Sequence, residues 1–461
     1  MARRHACTVF AVALAVTGGC SWRTFDDLQN RTPVRVIGAP SGFPTSNDFG
    51  RVMIATAPPA DGRAAARAIV SSSQETGIAV VDFDVHGQAN GQTVTADALT
   101  ALGSFPVKAM AEVPGGDGVM LGSPTQVGGS VLLMSLAPGF AVTAFSSSTS
   151  EPGFGVGVAA GNLGGGTSAE LVVLSSTQLH VYVDGHATNA LPAVVDDGVT
   201  AAACPIYFSS LAANQLNRAV TIADVQGTGP QIIVGTPSAN PTVSGHVSIF
   251  NVDVTGGVVS CALALSESAS DPGFGQAVAV GDFDGDGKSD LLVGAPPSRA
   301  FLFRGPVTSA TVPTVISSGS GISFGAALAA FDLDGFRGDE AFLADRDATV
   351  GSAANAGQVL INTGPTLGTK GSPPVLVDRN ASNAEAYGST VVALPFCGVP
   401  AGSGVDGGTD AGHDGGGGAD AGAAGAHDAG AGCEIVRLPL IGSASKLFVY
   451  YSLGPTDPRA R

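Results

Sequence analysis

The sequence predicts an all-β chain folded as a seven-bladed β-propeller, and three observations carry that expectation. An aromatic-Gly pair recurs at Phe49-Gly50, Phe154-Gly155, Phe274-Gly275, Phe324-Gly325 and Tyr387-Gly388. A strand-like run closing on Gly, a small residue and Pro recurs with it, as VMLGSP at 119–124, IIVGTP at 232–237 and LLVGAP at 291–296. The composition, with 66 Gly, 28 Pro and only 13% charged residues, favours short strands and turns over helices.

Five aromatic-Gly pairs leave two gaps, near residues 105 and 218. Ser104-Phe105-Pro106 and the stretch from Arg218 to Asp224 fall there, each followed by the Gly-small-Pro phrase. Counting them gives seven units starting near residues 49, 105, 154, 218, 274, 324 and 387, about 49 to 64 residues apart. Four short antiparallel strands fit that length. One such sheet leaves its faces and edges bare, so the units must pack on one another, and seven packed radially close a circle. Val34-Arg35-Val36-Ile37 has a strand pattern and is expected to join the last blade and close the ring.

The chain divides in order. Residues 1–20 carry Arg3 and Arg4, an apolar run from Ala6 to Val16, and small residues ending at Cys20, a run too short for a permanent membrane span. This resembles the bacterial lipoprotein signal, which implies lipid on Cys20. Thr17 stands where that signal prefers Leu, so cleavage by the ordinary signal peptidase is the alternative. Residues 21–40 read as a linker with the ring-closing strand, and 41–400 as the propeller repeats. Residues 401–432 are almost wholly Gly, Ala and Asp with His413 and His427, a composition that buries no core and reads as a disordered excursion inside the last blade. Residues 433–461 finish that blade and form the tail.

Of six cysteines, Cys7 leaves with the signal and Cys20 takes lipid. Cys204, Cys261, Cys397 and Cys433 allow three pairings, and proximity favours Cys204 with Cys261 and Cys397 with Cys433. Each bridge would contribute about 4 kcal/mol by loop entropy.

The fifth unit, PGFGQAVAVGDFDGDGKSDLLVGAP at 272–296, holds the strongest chemical signal. Asp282, Asp284, Asp286 and Asp290 crowd into nine residues and repel one another, which a hard divalent cation with oxygen ligands relieves. Gly285 and Gly287 let the backbone curl, and the carbonyl of Lys288 could add an oxygen. A helix-flanked calcium loop would need Glu where Val293 stands, so this is not an EF-hand. Gly287-Lys288-Ser289 matches the end of a phosphate loop, but Asp282 occupies the opening Gly position. The plainer alternative is a solvated acidic turn.

With Phe274-Gly275, the loop Asp282-x-Asp284-x-Asp286-Gly-x-x-Asp290 and Gly294-Ala295-Pro296 in view, the unit resembles the FG-GAP repeat of the integrin α-subunit propeller. That resemblance implies a seven-bladed propeller binding other proteins. It also implies Ca2+ held by Asp282, Asp284, Asp286 and Asp290 with the Lys288 carbonyl. In the sixth unit Asp332, Asp334 and Glu340 match three ligands and Phe336 replaces the fourth, a second candidate site. The third unit keeps Asn162 and Glu170, and the fourth Asp224, Gln226, Thr228 and Gln231, with too few carboxylates for a cation. At millimolar calcium an extracellular site of this type adds only about 0.4 to 1.4 kcal/mol, so blade packing must hold the ring.

A net charge of −17 argues against nucleic acid as a partner. Nothing after residue 20 is apolar for long enough to cross a membrane as a helix. No His-Glu-x-x-His, Walker or zinc pattern is present. Gly402-x-Gly404-x-x-Gly407 matches a dinucleotide fingerprint without a βαβ unit around it. Asp82 and Asp84, and Asp196-Asp197, read as strand-end or loop charges. The expectation is therefore an exported, lipid-anchored, monomeric and non-catalytic propeller of the cell envelope that binds a protein or polysaccharide. A hydrolase or lyase with carboxylates at the channel mouth, or a structural spacer, are the alternatives.

Overall fold

The computed structural model describes residues 34–450 apart from 44–48, 95–105, 196–218, 318–322, 363–374, 398–434 and stretches of one to four residues in other loops. The expected signal, Cys20, Cys204, Cys433, Asp196-Asp197, Asp334, Phe336 and the 401–432 excursion lie outside the described residues.

Seven four-stranded antiparallel sheets follow one another along the chain. The first is β2 (Val52–Thr56), β3 (Ala66–Ser71), β4 (Ile78–Phe83) and β5 (Ala89–Val94), and the second β6 (Ala109–Val113), β7 (Gly118–Pro124), β8 (Gly129–Ser135) and β9 (Val142–Ser148). The third is β10 (Gly157–Gly161), β11 (Glu170–Leu174), β12 (Gln178–Tyr182) and β13 (Val194–Val195). The fourth is β14 (Val220–Ala223), β15 (Gln231–Thr236), β16 (His246–Asp253) and β17 (Val258–Ser266). The fifth is β18 (Ala277–Gly281), β19 (Asp290–Ala295), β20 (Arg299–Phe303) and β21 (Thr314–Ser317), and the sixth β22 (Ala327–Phe331), β23 (Glu340–Asp345), β24 (Gln358–Asn362) and β25 (Val375–Leu376). The seventh joins the two ends of the chain: β26 (Thr390–Cys397), β27 (Ile435–Gly442), β28 (Lys446–Tyr450) and β1 (Val34–Gly38), with Val34 opposite Tyr450 and Gly38 opposite Lys446. The inner strands β2, β6, β10, β14, β18, β22 and β26 touch in succession, and β26 touches β2. The ring is closed, and no α-helix occurs among the described residues.

The core lies between blades. Seven apolar clusters occupy the seven junctions, so that Leu291 and Val293 of β19 pack with Ile233 and Ile249 of the fourth blade while Leu292 packs with Phe324 and Leu343 of the sixth. This explains why the second strands read as continuous apolar runs such as LLVG. They are buried on both faces, so alternation has no polar side to report. Outer strands such as β5 and β17 alternate with solvent.

The two recurring phrases are halves of one contact. Gly275 has φ +88°, and its N–H donates to the carbonyl of Gly294 in its own blade at 3.0 Å. Its own carbonyl faces Gly235 of the preceding blade, where a Cβ would lie 2.1 Å away. At the next junction a Cβ on Gly294 would lie 1.9 Å from the Gly325 carbonyl. The same approach joins Gly122 to Gly155 and Gly442 to Gly50, while Phe49, Phe154, Phe274, Phe324 and Tyr387 fill the junction beside it. The Phe-Gly of one blade therefore meets the Gly-Ala-Pro glycine of the blade before it.

The thin units follow the same logic. Ser71 stands at the Gly294 position of the first blade, opposite Val52 as Gly294 is opposite Ala277, and its hydroxyl donates to the Val107 carbonyl of the second blade at 2.9 Å. Leu174 stands there in the third blade. Those two losses each precede a blade without the aromatic-Gly pair, whereas in the sixth blade Ala344 stands at the position and the seventh blade keeps Tyr387-Gly388.

Gly294→Ala is expected to destabilise by about 1–3 kcal/mol in denaturant titration through overpacking. Gly166→Ala, where a Cβ meets nothing within 4 Å, should be near neutral. Equal midpoints for the two variants would contradict the junction contact.

Candidate cation loop and channel mouth

The expected loop connects β18 to β19, whose ends pair at Gly281 and Asp290. Asp282 organises it. One carboxylate oxygen accepts the N–H groups of Gly285 at 2.8 Å and Asp286 at 3.0 Å, and the other accepts that of Gly287 at 2.8 Å. Asp290 ties the ends: Oδ2 accepts the Phe283 N–H at 3.0 Å and Oδ1 the Gly305 N–H at 2.7 Å. Only 1% of Asp290 is exposed, and burial pushes its carboxyl up to about 6.

Oxygens of Asp282, Asp284 and Asp290 lie within 4.8 Å of one another, so three of the four expected carboxylates converge. Asp286 does not join them. It accepts the Lys288 N–H at 2.9 Å and ammonium at 3.1 Å near the surface, and these bonds hold its carboxyl below the usual range. The curl expected at Gly285 and Gly287 is present, but it does not bring every alternate aspartate inward. Gly285 and Gly287, at φ +73° and +84°, curl the chain and turn Asp286 outward.

Two partners escaped the sequence reading. Arg304 forms a short ion pair with Asp284, and Asp339 of the sixth blade accepts the Asp282 N–H at 2.9 Å while its own N–H donates to the Asp282 carbonyl at 2.7 Å. Burial raises the Asp339 carboxyl. A hairpin register locates Arg304, because Leu291 pairs with Phe303 and the following residue falls beside Asp290. Nothing local in the sequence points to Asp339.

The last loop position works alike in four blades. Glu170 accepts the Leu163 N–H at 2.6 Å, Gln231 that of Val225 at 3.2 Å, Asp290 that of Phe283, and Glu340 that of Leu333 at 2.8 Å. In the fourth blade the Gln231 amide nitrogen also donates to Gln226 at 3.2 Å and Thr228 at 2.8 Å. Its NH2 thus places the positive end of a dipole inside that loop. In the sixth, Asp332 and Glu340 are described, while Asp334 and Phe336 of the second candidate site lie outside the described residues.

At the opposite ends of the inner strands a cavity of about 500 Å³ opens at the channel, lined by all seven blades. Asp347 is the one carboxylate among the described residues of its lining, and Arg346 meets it at 3.5 Å. Of the acidic pair in the first blade, Asp82 is bound by both Nε and an Nη of Arg67 at 2.6 and 2.9 Å, and Asp84 accepts the Gln88 N–H at 2.7 Å. Both carboxylates serve structure.

A model of the FG-GAP repeat matches residues 274–308. Integrin alpha-IIb of Homo sapiens is 33% identical over 134 residues, covering 25% of this chain and 12% of its own length. The Mus musculus protein is also 33% identical, over 25% of this chain and 13% of its length. The chain thus matches about one eighth of these relatives. Among solved structures, the Cps50 (Swd1) β-propeller domain of Myceliophteria thermophila superposes with a TM-score of 0.43 at 11% identity, covering 78% of this chain and 96% of that one. A nidogen/laminin complex gives 0.39 at 11%, covering 68% and 95%. The chain is a seven-bladed propeller whose fifth blade carries an FG-GAP repeat, and a quarter of it is similar to integrin alpha-IIb.

Asp290 sets a pH dependence. Its folded value of about 6 lies above the 3.8 of a solvated aspartate, so its protonation favours folding. Without divalent cations that contribution, up to roughly 3 kcal/mol, is fully present below about pH 4 and lost as pH rises through 6. Melting with a chelator should therefore show a fall between about pH 4 and 6 that Asp290→Asn flattens. An unchanged slope in the variant would refute this.

Proposed function

We propose, from the premise of an integrin-like FG-GAP propeller, that this protein is an exported, non-catalytic binding module for a protein or polysaccharide, with calcium fastening one blade loop. The observation that supports it best is the channel mouth. Among the described residues its lining carries two guanidinium groups, Arg51 and Arg346, beside one carboxylate, Asp347, a charge pattern suited to holding a ligand.

Asp282, Asp284 and Asp290 are the residues that would hold calcium, and the convergence of their oxygens fits a hard cation. The ion would compete with Arg304 for Asp284. Lipid on Cys20 would anchor the chain to the cell envelope. No helix among the described residues is long and apolar enough to cross a membrane, which is compatible with that anchor. Cys261 on β17 and Cys397 on β26 are in the disulfide form, which supports pairing with Cys204 and Cys433. The ring needs no second copy to close, consistent with a monomer.

Calcium at about 1 mM should raise the melting temperature by only about 0.5–2 °C, given roughly 0.4–1.4 kcal/mol spread over a domain this large. In calcium titration calorimetry, Asp284→Asn should weaken binding about tenfold or more, Asp286→Ala should weaken it less, and Arg304→Gln should tighten it. Stronger loss from Asp286→Ala than from Asp284→Asn would overturn this ligand set. Pull-down from envelope extract with and without calcium tests the binding role, and turnover of a captured ligand would replace it with the enzymatic reading.

A further inference from the structure

We propose that the channel mouth is a binding site for a carboxylate carried on a short aliphatic peptide, separate from the cation loop. The inference rests on reading the protein as a binding module and names the site and ligand class.

Charge is the first argument. The chain carries −17 overall, yet among the described residues the cavity lining holds two guanidinium groups, Arg51 and Arg346, against the single carboxylate of Asp347. Arg346 is 44% exposed and meets Asp347 through Nε alone, at 3.5 Å. That leaves its two Nη amines for the planar, two-point grip that a carboxylate offers.

The other polar groups favour an acceptor as the guest. Ser389 donates its hydroxyl proton to the Ala386 carbonyl at 2.7 Å, Thr390 to the Arg51 carbonyl at 2.6 Å, and Ser323 to Asp345 at 3.0 Å. With those protons committed to the fold, the guanidinium of Arg346 and the amide of Gln276 are the donors that face a ligand.

Shape and surface decide for a peptide over a sugar. Val52, Met110, Val158, Val220, Leu328 and Val391 form an aliphatic wall drawn from six blades, and no aromatic ring lines the cavity among the described residues. Sugars are commonly gripped by stacking on such rings, which are absent from this lining, whereas small aliphatic side chains match it. The volume of about 500 Å³ sits within the range of small-ligand sites, roughly 300–1,000 Å³, and accommodates the end of a chain.

The site is also remote from the loop. β18 begins at the cavity with Ala277 and ends at Gly281 beside Asp282, about 16 Å of strand at roughly 3.3 Å per residue. Peptide binding should therefore not require calcium.

The experiment is titration calorimetry of the purified full chain with acetyl-Gly-Ala-Val as free acid, its C-terminal amide, acetyl-Gly-Ala-Glu-amide and galacturonic acid, each with calcium and with chelator. The free acid should bind, the amide about tenfold or more weaker, and chelation should leave affinity unchanged. Arg346→Gln should weaken the free acid by about tenfold, as expected for a lost charged hydrogen bond. Rising salt should weaken it in the unmodified protein too, a readout that does not depend on a variant folding. The Glu peptide distinguishes a side-chain carboxylate from a chain terminus within the same proposal. Equal binding of acid and amide, no binding of either peptide acid, tighter binding of galacturonic acid, or dependence on calcium would each overturn the inference. Cleavage of a peptide would instead overturn the non-catalytic reading.

Discussion

The structure depends on the approach of one backbone to another at the blade junctions. A carbonyl from the Phe-Gly turn sits where the Cβ of the preceding blade's second strand would be, so that strand carries glycine. The close approach brings two sheets near enough for Phe274, Phe324 or Tyr387 to complete the apolar cluster between them. Each blade is exposed on its own and buried only as a member of the ring. This is why the core comprises seven junction clusters rather than seven blade interiors, and why the two ends of the chain share the last sheet.

The aspartate loop is subordinate to that packing. Its carboxylates accept backbone N–H groups within the hairpin, and Asp339 carries the same role across to the neighbouring blade. Glu170, Gln231 and Glu340 close their loops with the same bond. On the proposed reading a cation would supplement this scheme where three carboxylates converge; in the fourth blade the Gln231 amide donates to Gln226 and Thr228. The aspartate spacing thus reports a turn first and a metal second.

Much of this was legible in the sequence because the junction contact demands particular residues. Glycine is required at Gly275 by positive φ and at Gly294 by the carbonyl against it, so both survive as readable phrases. The second and fourth blades were faint because Ser71 and Leu174 make their junctions differently, and only spacing located them. Val34–Ile37 was readable as a strand because its pairing with β28 needs nothing more than β character. Side-chain direction in the loop was not legible, since it depends on the curl at Gly285 and Gly287, which sends Asp286 to Lys288. Arg304, Asp339 and the channel arginines come from other strands or blades, and linear spacing cannot bring them together.

Native-state amide exchange in calcium-free buffer tests the central claim most directly. If the junction contact holds the ring, the N–H groups of Gly275 and Gly325, bonded to the Gly294 and Ala344 carbonyls, should exchange as slowly as that of Leu292 in the buried strand. The N–H groups of Gly285 and Gly287 in the loop should exchange much faster. Loss of protection at Gly275 and Gly325 on calcium removal, to the level of the loop, would contradict the account and make the cation the element on which the blades depend.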